Sequence, residues 1–548
     1  MYKVSLFIIC IFLSIKAITQ VLVSGKVVDA ISNQPLEAAN IEQESNEKNK
    51  VLTDHHGNFL IRTNLDKKVL RVSYIGYKRV NIDVTNKSYI KIELIPDVVT
   101  LKDIFLAQGS GQQKFNSLAK VDLDLKPVKN TQELLRLVPG LFVAQHAGGG
   151  KAEQIFLRGF DSDHGTDVQV SVDGLPVNIV SHAHGQGYAD AHFIIPETIN
   201  NIDYGTGPYY TQHGNLNTAG YVSFSTYKNI AESRIQLEAG RYNTFRTLAM
   251  IDLLKKNKEK QSAYIAGEFN YTNGPTINPQ NLNRFNVFGK YNISLSYNTQ
   301  LTASLSAFKS HWDASGQVPE RAVEARLIDR FGSIDPTEGG TTARYNANII
   351  LSNVLSDGTT LENQVFYSRY LFSLFSNFTF NLNDPINGDQ INQAERRNIF
   401  GYSTKLSQKN LYANWTLSSF YGAGVRYDVT NNSFLAHTVK RNSLNFRKKG
   451  DISEANAFGY IQQKASIGKW LIDAGVRLDY LHFSYKNKLE NVQLPEQGKS
   501  IVSPKLNIEY TINPRLQVYV KGGKGFHSND TRVVIANEGN EILPAAYG

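Results

Sequence analysis

Six of the chain's 12 histidines, His146, His164, His182, His184, His192 and His213, fall within one stretch of 68 residues, many more than an even spread would place there. Asp161, Asp163 and Asp190 accompany them. Imidazole and carboxylate together form a donor set suited to zinc, copper, nickel or iron rather than calcium. In an extended segment, His182-Ala183-His184 would put two imidazoles on one face about 7 Å apart, a gap that flexible backbone can close on one ion. Gly185, Gly187 and the run Asp161-Ser162-Asp163-His164 would let further ligands approach. His164, His182, His184, His192 and His213 are therefore candidate metal ligands. Polar loop residues hydrogen-bonded in a wet interior would give the same pattern, and no fixed-spacing motif such as paired Cys-x-x-Cys decides between the two.

Catalytic constellations are not suggested. No Ser-His-Asp or Cys-His arrangement or nucleophile elbow stands out, and Gly148-Gly149-Gly150 does not follow the strand-to-helix pattern of a phosphate site. His55-His56 lacks zinc spacing, and adjacent residues on a strand or turn point apart. The expectation is a protein that is not an enzyme and requires no cofactor.

The elements that position the histidine-rich stretch are short. Leu134, Leu135, Leu137 and Val138 have helical spacing from Thr131 onward, and Pro139-Gly140 stops the helix. Ile155 to Gly159 and Val168 to Val172 are strand-like, and Asp173-Gly174 with Pro176 turns the chain. Four ordered segments then carry a resemblance: Leu137-Val138-Pro139-Gly140-Leu141, Leu157-Arg158-Gly159-Phe160, Val172-Asp173-Gly174-Leu175-Pro176-Val177-Asn178 and Ile195-Pro196-Glu197-Thr198-Ile199. In this order they resemble the plug domain of TonB-dependent outer-membrane receptors, with Arg158, Gly159, Asp173, Gly174 and Pro196 as the plug motif. The chain departs from that family at Asn200 to Pro208, which keeps the Gly-Pro turn but not its flanking charges.

Lys3, an apolar run from Leu6 to Ile15 and Ala17-Ile18-Thr19-Gln20 have the order of a secretory signal peptide, too short for a helix spanning roughly 30 Å. The only cysteine, Cys10, lies within it, so a mature chain would have no disulfide. Net charge is +9 with scattered basic residues, which suits solvated surface or contact with anionic lipid but not nucleic acid. Residues 20–95 resemble the carboxypeptidase-regulatory-like β-sandwich through Gly25-Lys26-Val27-Val28-Asp29, Gly57-Asn58-Phe59 and Val72-Ser73-Tyr74-Ile75-Gly76-Tyr77. Residues 96–124 form a linker in which Thr100, Leu101, Asp103, Ile104 and Phe105 belong to a β-prone segment beside a Gly-Ser tether. Such a segment can add as a strand to a partner's sheet edge, and its place resembles that of the TonB box. A last strand of the preceding domain would look the same.

After the plug at 125–228, residues 229–548 alternate. Trp470, Ile472, Ala474, Val476, Leu478 and Tyr480 share one parity, with Asp473, Arg477 and Asp479 on the other. Leu301 to Ala307 and Leu411 to Leu417 repeat this alternation, and long insertions are expected at Ser310 to Thr342 and Asn381 to Arg397. Short turns at one end and long loops at the other suit an outer-membrane barrel. The fold class expected is mainly β: a transmembrane antiparallel barrel with a small α/β plug and an N-terminal β-sandwich. A dozen to fifteen strand-like segments fall short of the about 22 of plugged barrels, so the expectation is an incomplete barrel, a C-terminally truncated fragment.

The resemblance implies a receptor in the outer membrane that imports a scarce small-molecule cargo, of which a siderophore-type metal chelate or transition metal is the first reading. It also implies a TonB-type periplasmic partner and surrounding outer-membrane lipid. Glycan or oligosaccharide uptake and non-transporting surface adhesion are the alternatives.

Overall fold

A computed structural model describes residues 20–94, 117–118, 128–540 and 545–548, apart from internal stretches at 31–34, 44–45, 65–68, 75–76, 78, 86–87, 129, 146–148, 153, 163–164, 255–259, 357 and 514–515. The expected signal peptide and the segment Thr100 to Ala107 lie outside the described residues. The chain divides into two compact units, 1–108 and 109–548.

In the first unit, Gln20–Asp29 is the central strand of three, antiparallel to Asn58–Asn64 and parallel to Tyr89–Leu94. A four-stranded antiparallel sheet runs Asn46–Leu52, Asn40–Gln43, Val69–Ser73, Val80–Asp83. Alternation supplies one apolar face per sheet. Val23, Val27, Phe59, Ile61 and Ile92 from the first meet Ile41, Leu70 and Val72 from the second in one buried core. The histidine pair sits in the turn before Asn58, where Asp54 Oδ1 accepts from the His56 and Asn58 amides. Gly57 has φ +76°, and a Cβ there would stand 2.4 Å from the Val27 carbonyl, so this turn requires glycine.

The plug opens on a helix, Thr131–Leu135, whose N-cap Asn130 accepts from the Glu133 amide. Its five-stranded sheet has Gly220–Thr226 at the centre, parallel to Val168–Val172 and antiparallel to Ile199–Thr206. The sheet reaches back to Ser117–Leu118, upstream of the expected start at 125. Both glycine motifs are hairpin turns. Arg158 and Gly159 have φ +48° and +87°, Asp173 and Gly174 +46° and +77°, so each pair has the two positive φ values that a tight two-residue hairpin needs.

The remainder is one large antiparallel sheet of 15 strands, 14 of them in sequence order from Arg234–Gly240 to Ala545–Tyr547. It is inverted relative to a water-soluble fold. Leu305, Ile349, Val365 and Leu478 are each more than half exposed, whereas Asn348, Arg477 and Asp479 on the other parity are at most 4% exposed. The lumen side is polar and filled. Strands run farther than the alternation suggested. Thr299–Asp313, Gly339–Ser356 and Ile391–Tyr412 absorb the flanks of both expected insertions, leaving loops at 314–338 and 377–390. Their polar inward residues are ordinary strand residues facing a wet interior. Leu411 to Leu417 is likewise not one strand, because a turn at Ala413-Asn414 splits it. Among the described residues no helix is long and apolar enough to cross a membrane, which leaves strand crossing untouched.

Candidate functional site: the plug and its seat in the barrel

The barrel wall holds the plug through hydrogen bonds to its backbone, through side-chain ion pairs and through apolar contacts such as Ile179 and Tyr188 of the plug against Trp312, Tyr370 and Phe372 of the wall. Towards the end with the long loops, the plug turn Ser181 to His184 is gripped by side chains of successive strands. The Ala183 amide donates to Glu395 at 2.8 Å, Ser181 Oγ donates to Glu454 at 2.6 Å, and Arg397 donates to the Ser181 carbonyl. Arg397 is itself ringed by Glu395 at 3.0 Å, Asp428 at 3.2 Å and Glu454 at 3.0 Å, all essentially buried. Arg426 pairs with Asp428 at 2.8 Å and donates to the Asn178 carbonyl. Two guanidiniums thus face three carboxylates, and the plug amides of Ser181 and Ala183 take up part of the excess negative charge.

The same device recurs around the wall. Arg344 donates to the Pro176 carbonyl at 2.6 Å and lies over the Phe193 ring. Arg477, fixed by a two-pronged contact with Asp479, donates to the Gln212 carbonyl at 3.1 Å, and Lys505 reaches the Pro208 carbonyl. Gly525 permits that approach, since a Cβ there would stand 2.6 Å from Pro208 and 2.7 Å from the Asn217 carbonyl. On the far side Arg246 joins plug residue Glu197, by two bonds of 2.7 and 2.8 Å, to Glu268 at 2.7 Å. Glu197 therefore supplies an ion pair just before the strand whose flanking charges the sequence lacks.

Asp173 of the plug motif has a role beyond its turn. Its carboxylate takes the Thr226 amide and hydroxyl at 3.0 and 2.6 Å and Lys290 of the barrel at 3.0 Å. Burial opposes ionisation there, but the Lys290 charge and the Thr226 donors outweigh it and hold the carboxyl below its ordinary range. Arg158 remains exposed at its hairpin, and Pro196 begins a single 3-10 turn, Pro196–Thr198. These motif residues shape the plug's turns and, through Asp173, its contact with the barrel.

The described histidines do not gather around one point. His182 is fully buried, stacked on Tyr188 at 4.0 Å with Phe372 at 4.5 Å, and its Nδ1 accepts the His184 amide. That bond bends the segment, so His182-Ala183-His184 is not extended as the spacing supposed. His184 is hydrogen-bonded to Gln393, His192 to Asp190 and His213 to Gln169, each at 2.8 Å, and His213 also stacks on Tyr221. Among the described residues no group of three or more His, Cys, Asp or Glu is placed to hold a metal. His146, Asp163 and His164 lie outside them.

Beside the plug at the long-loop end is a small cleft, lined by Lys151 of the plug, Gly316, Gln317 and Glu338 of the loops, and Phe375 and Phe378. Glu338 is 4% exposed, and burial pushes its carboxyl up to about 8 despite the Asn377 amide and Lys151. Hydrogen bonds knit the surrounding loops. Arg441 contacts Asp313 at 2.6 Å and the Thr337 and Glu338 carbonyls, and Asp335 takes Asn377 and Gln390 at 2.9 Å each. None of the barrel's clamping residues was singled out as a site from the sequence. The available signal was a lone Arg or Glu on the polar parity of an alternating strand, as at Arg477.

A folded domain seated in the lumen of a wide antiparallel barrel defines a plugged receptor barrel. Family models agree segment by segment: the TonB-dependent receptor plug domain matches residues 110–221, the TonB-dependent receptor-like β-barrel 295–543 and the CarboxypepD_reg-like domain 23–106. The chain belongs to the TonB-dependent receptors. Among solved structures it is similar to the unliganded ferric citrate transporter FecA, at 14% identity and TM-score 0.69, covering 80% of this chain and 68% of that one. The ferric yersiniabactin uptake receptor FyuA of Yersinia pestis matches at 13% and 0.59, with 75% and 64% covered. The siderophore receptor PiuA of Acinetobacter baumannii matches at 14% and 0.58, with 75% and 64% covered. At these identities the likeness establishes the fold. As a member of this family the protein is a transporter-type receptor and not an enzyme.

Proposed function

We propose that this receptor sits in the cell outer membrane, binds a siderophore-type metal chelate at the mouth beside the plug, and releases it inward when a TonB-type periplasmic protein displaces the plug. The observation that carries the reading is the seat. Many of the plug's contacts with the wall are hydrogen bonds, donated by Arg, Lys and Asn side chains to plug carbonyls and accepted by Glu395 and Glu454 from plug amides, contacts that water can replace, so the seat is firm yet separable. The plug lies in the path of any solute, so import requires a conformational step and a source of free energy. A chelate is favoured over a bare ion because the described histidines are engaged in separate contacts, and the similar structures include receptors named for ferric chelates and siderophores. Energy coupling is assigned to Thr100, Leu101, Asp103, Ile104 and Phe105, whose β-prone sequence suits addition to a partner's sheet edge.

Uptake of radio-iron as citrate, catecholate and hydroxamate chelates into cells expressing this receptor, with and without the energy-transducing protein, tests the reading. Energy-dependent import of at least one chelate is expected. Import of an oligosaccharide with no chelate would move the assignment to glycan uptake, and cell attachment without import would make it an adhesin.

A further inference from the structure

The outer wall of the barrel carries a patch of cations that neither the plug nor the mouth uses. Strand registers align the outward residues into rows across the sheet. One row is Leu305, Ala347, Tyr367, Phe400 and Tyr427, and the next towards the short turns is Ala303, Ile349, Val365, Tyr402 and Val425. Neither row contains a charge, and both suit the apolar, aromatic-edged band that faces hydrocarbon.

One step towards the long loops, the row is Ala307, Tyr345, Arg369, Asn398 and Val429, and the one beyond it is Lys309, Ala343, Leu371, Arg396 and Asn431. Arg369 pairs with Asn398, whereas Arg396 pairs with Leu371, which makes the two arginines diagonal neighbours on adjacent strands, roughly 7 Å apart. Arg369, Arg396 and Lys309 are all exposed. Among the described residues none of the three has a carboxylate partner, and neither row contains an acid.

We propose that Arg369 and Arg396, assisted by Lys309, dock the phosphate of an anionic lipid headgroup in the outer leaflet. The guanidinium fork matches phosphate oxygens in pairs, and Lys309, three strands along the same row and about 14 Å from Arg396, adds to the positive potential that draws the headgroup in. Long loops mark the extracellular end of such a barrel, so the patch lies at outer-leaflet headgroup height, directly above the hydrocarbon-facing rows. Tyr345 and Tyr367 stand beside it, the Tyr367 hydroxyl donating to Asn398 at 2.8 Å, as aromatic side chains do at a membrane interface. Contiguity with the apolar band favours a lipid over a free anion, because one molecule can satisfy both surfaces. The site rests on the outer-membrane reading above.

Native mass spectrometry of the full chain released from nanodiscs containing phosphatidylglycerol and phosphatidylcholine tests the site. The expected result is preferential retention of phosphatidylglycerol, a drop of that preference on the order of tenfold in R369Q/R396Q, and an intermediate preference in R369K/R396K, where charge remains but the fork is lost. Millimolar inorganic phosphate should not displace the lipid. Equal retention by the wild type and the glutamine variant would overturn the proposal, as would displacement by inorganic phosphate, which would indicate a free-anion site. Failure of the wild-type chain to enter nanodiscs would count against the outer-membrane reading and take this site with it, whereas entry without lipid preference would overturn the site alone.

Discussion

Arg397 meets Glu454 at 3.0 Å inside the barrel, and both residues also bond to Ser181 of the plug, the arginine to its carbonyl and the glutamate to its hydroxyl. The pair is therefore a joint between two parts of the chain 216 and 273 residues apart in sequence. Removing one partner of such a pair leaves uncompensated charge. Arg397→Ala takes the ion-pair partner from Glu395 and Glu454 while Asp428 keeps Arg426, and a loss of about 3–5 kcal/mol is expected. Thermal unfolding of the detergent-solubilised receptor, with protease cutting near Ser181 as a local probe, would register it. An unchanged midpoint together with unchanged cutting would show that the joint contributes nothing.

Asp173 should make seating of the plug sensitive to acid. Its carboxyl is held below the ordinary range, so the stability it contributes is fully present above the unfolded-state value of about 3.9 and is lost as pH falls through the lower folded-state value. The wild type should lose stability on acidification below about pH 4, and Asp173→Asn should be weaker at neutral pH with a flatter acid limb. Parallel acid limbs in melting curves of the two proteins would remove Asp173 from the account.

Much of this architecture was legible because it follows from local chemistry. Asp173-Gly174 and Arg158-Gly159 signal tight hairpins by residue type alone, and the alternation from Trp470 to Tyr480 placed Arg477 and Asp479 on the wet side before any partner was known. The seat was not legible. Arg397, Asp428 and Glu454 come from three strands and acquire meaning only through a register that long-range pairing sets. The histidine cluster misled for a related reason: proximity in sequence says nothing about direction. Ring stacking of His182 on Tyr188 and of His213 on Tyr221, with hydrogen bonds of His184 to Gln393, His192 to Asp190 and His213 to Gln169, engages these imidazoles with other partners, even though His182 and His184 both pack on Tyr188. Strand lengths were underestimated because polar residues facing a wet lumen look like loop.

Glu338 predicts an opposite pH trend at the mouth. An acid whose folded-state value is raised, here from 4.5 to about 8, contributes stability that is fully present below its ordinary value and is lost as pH rises towards 8. The wild-type receptor should therefore weaken between about pH 5 and pH 8, while Glu338→Gln, neutral throughout, should hold its melting temperature over that range. Gly316→Ala is the harsher change, since φ is +63° and the added Cβ would stand 2.0 Å from Glu338 Oε1. Identical pH profiles for wild type and Glu338→Gln would show that the carboxyl titrates normally.

Energy coupling is separable from binding if it runs through Thr100 to Ala107. Strand addition needs a backbone amide at each paired position and an extended φ, and proline removes the first and restricts the second. Ile104→Pro should therefore leave chelate binding to whole cells at the wild-type level, because the mouth formed by Lys151, Glu338 and Phe378 is built by other parts of the chain. Import should fall to the level of cells lacking the energy-transducing protein. Ile104→Val keeps the amide and the β preference and should import normally, which separates a backbone effect from simple loss of the isoleucine side chain. Radio-iron binding at low temperature, followed by accumulation after warming, measures the two steps in one sample. Wild-type accumulation by Ile104→Pro would place the coupling contact elsewhere in the chain.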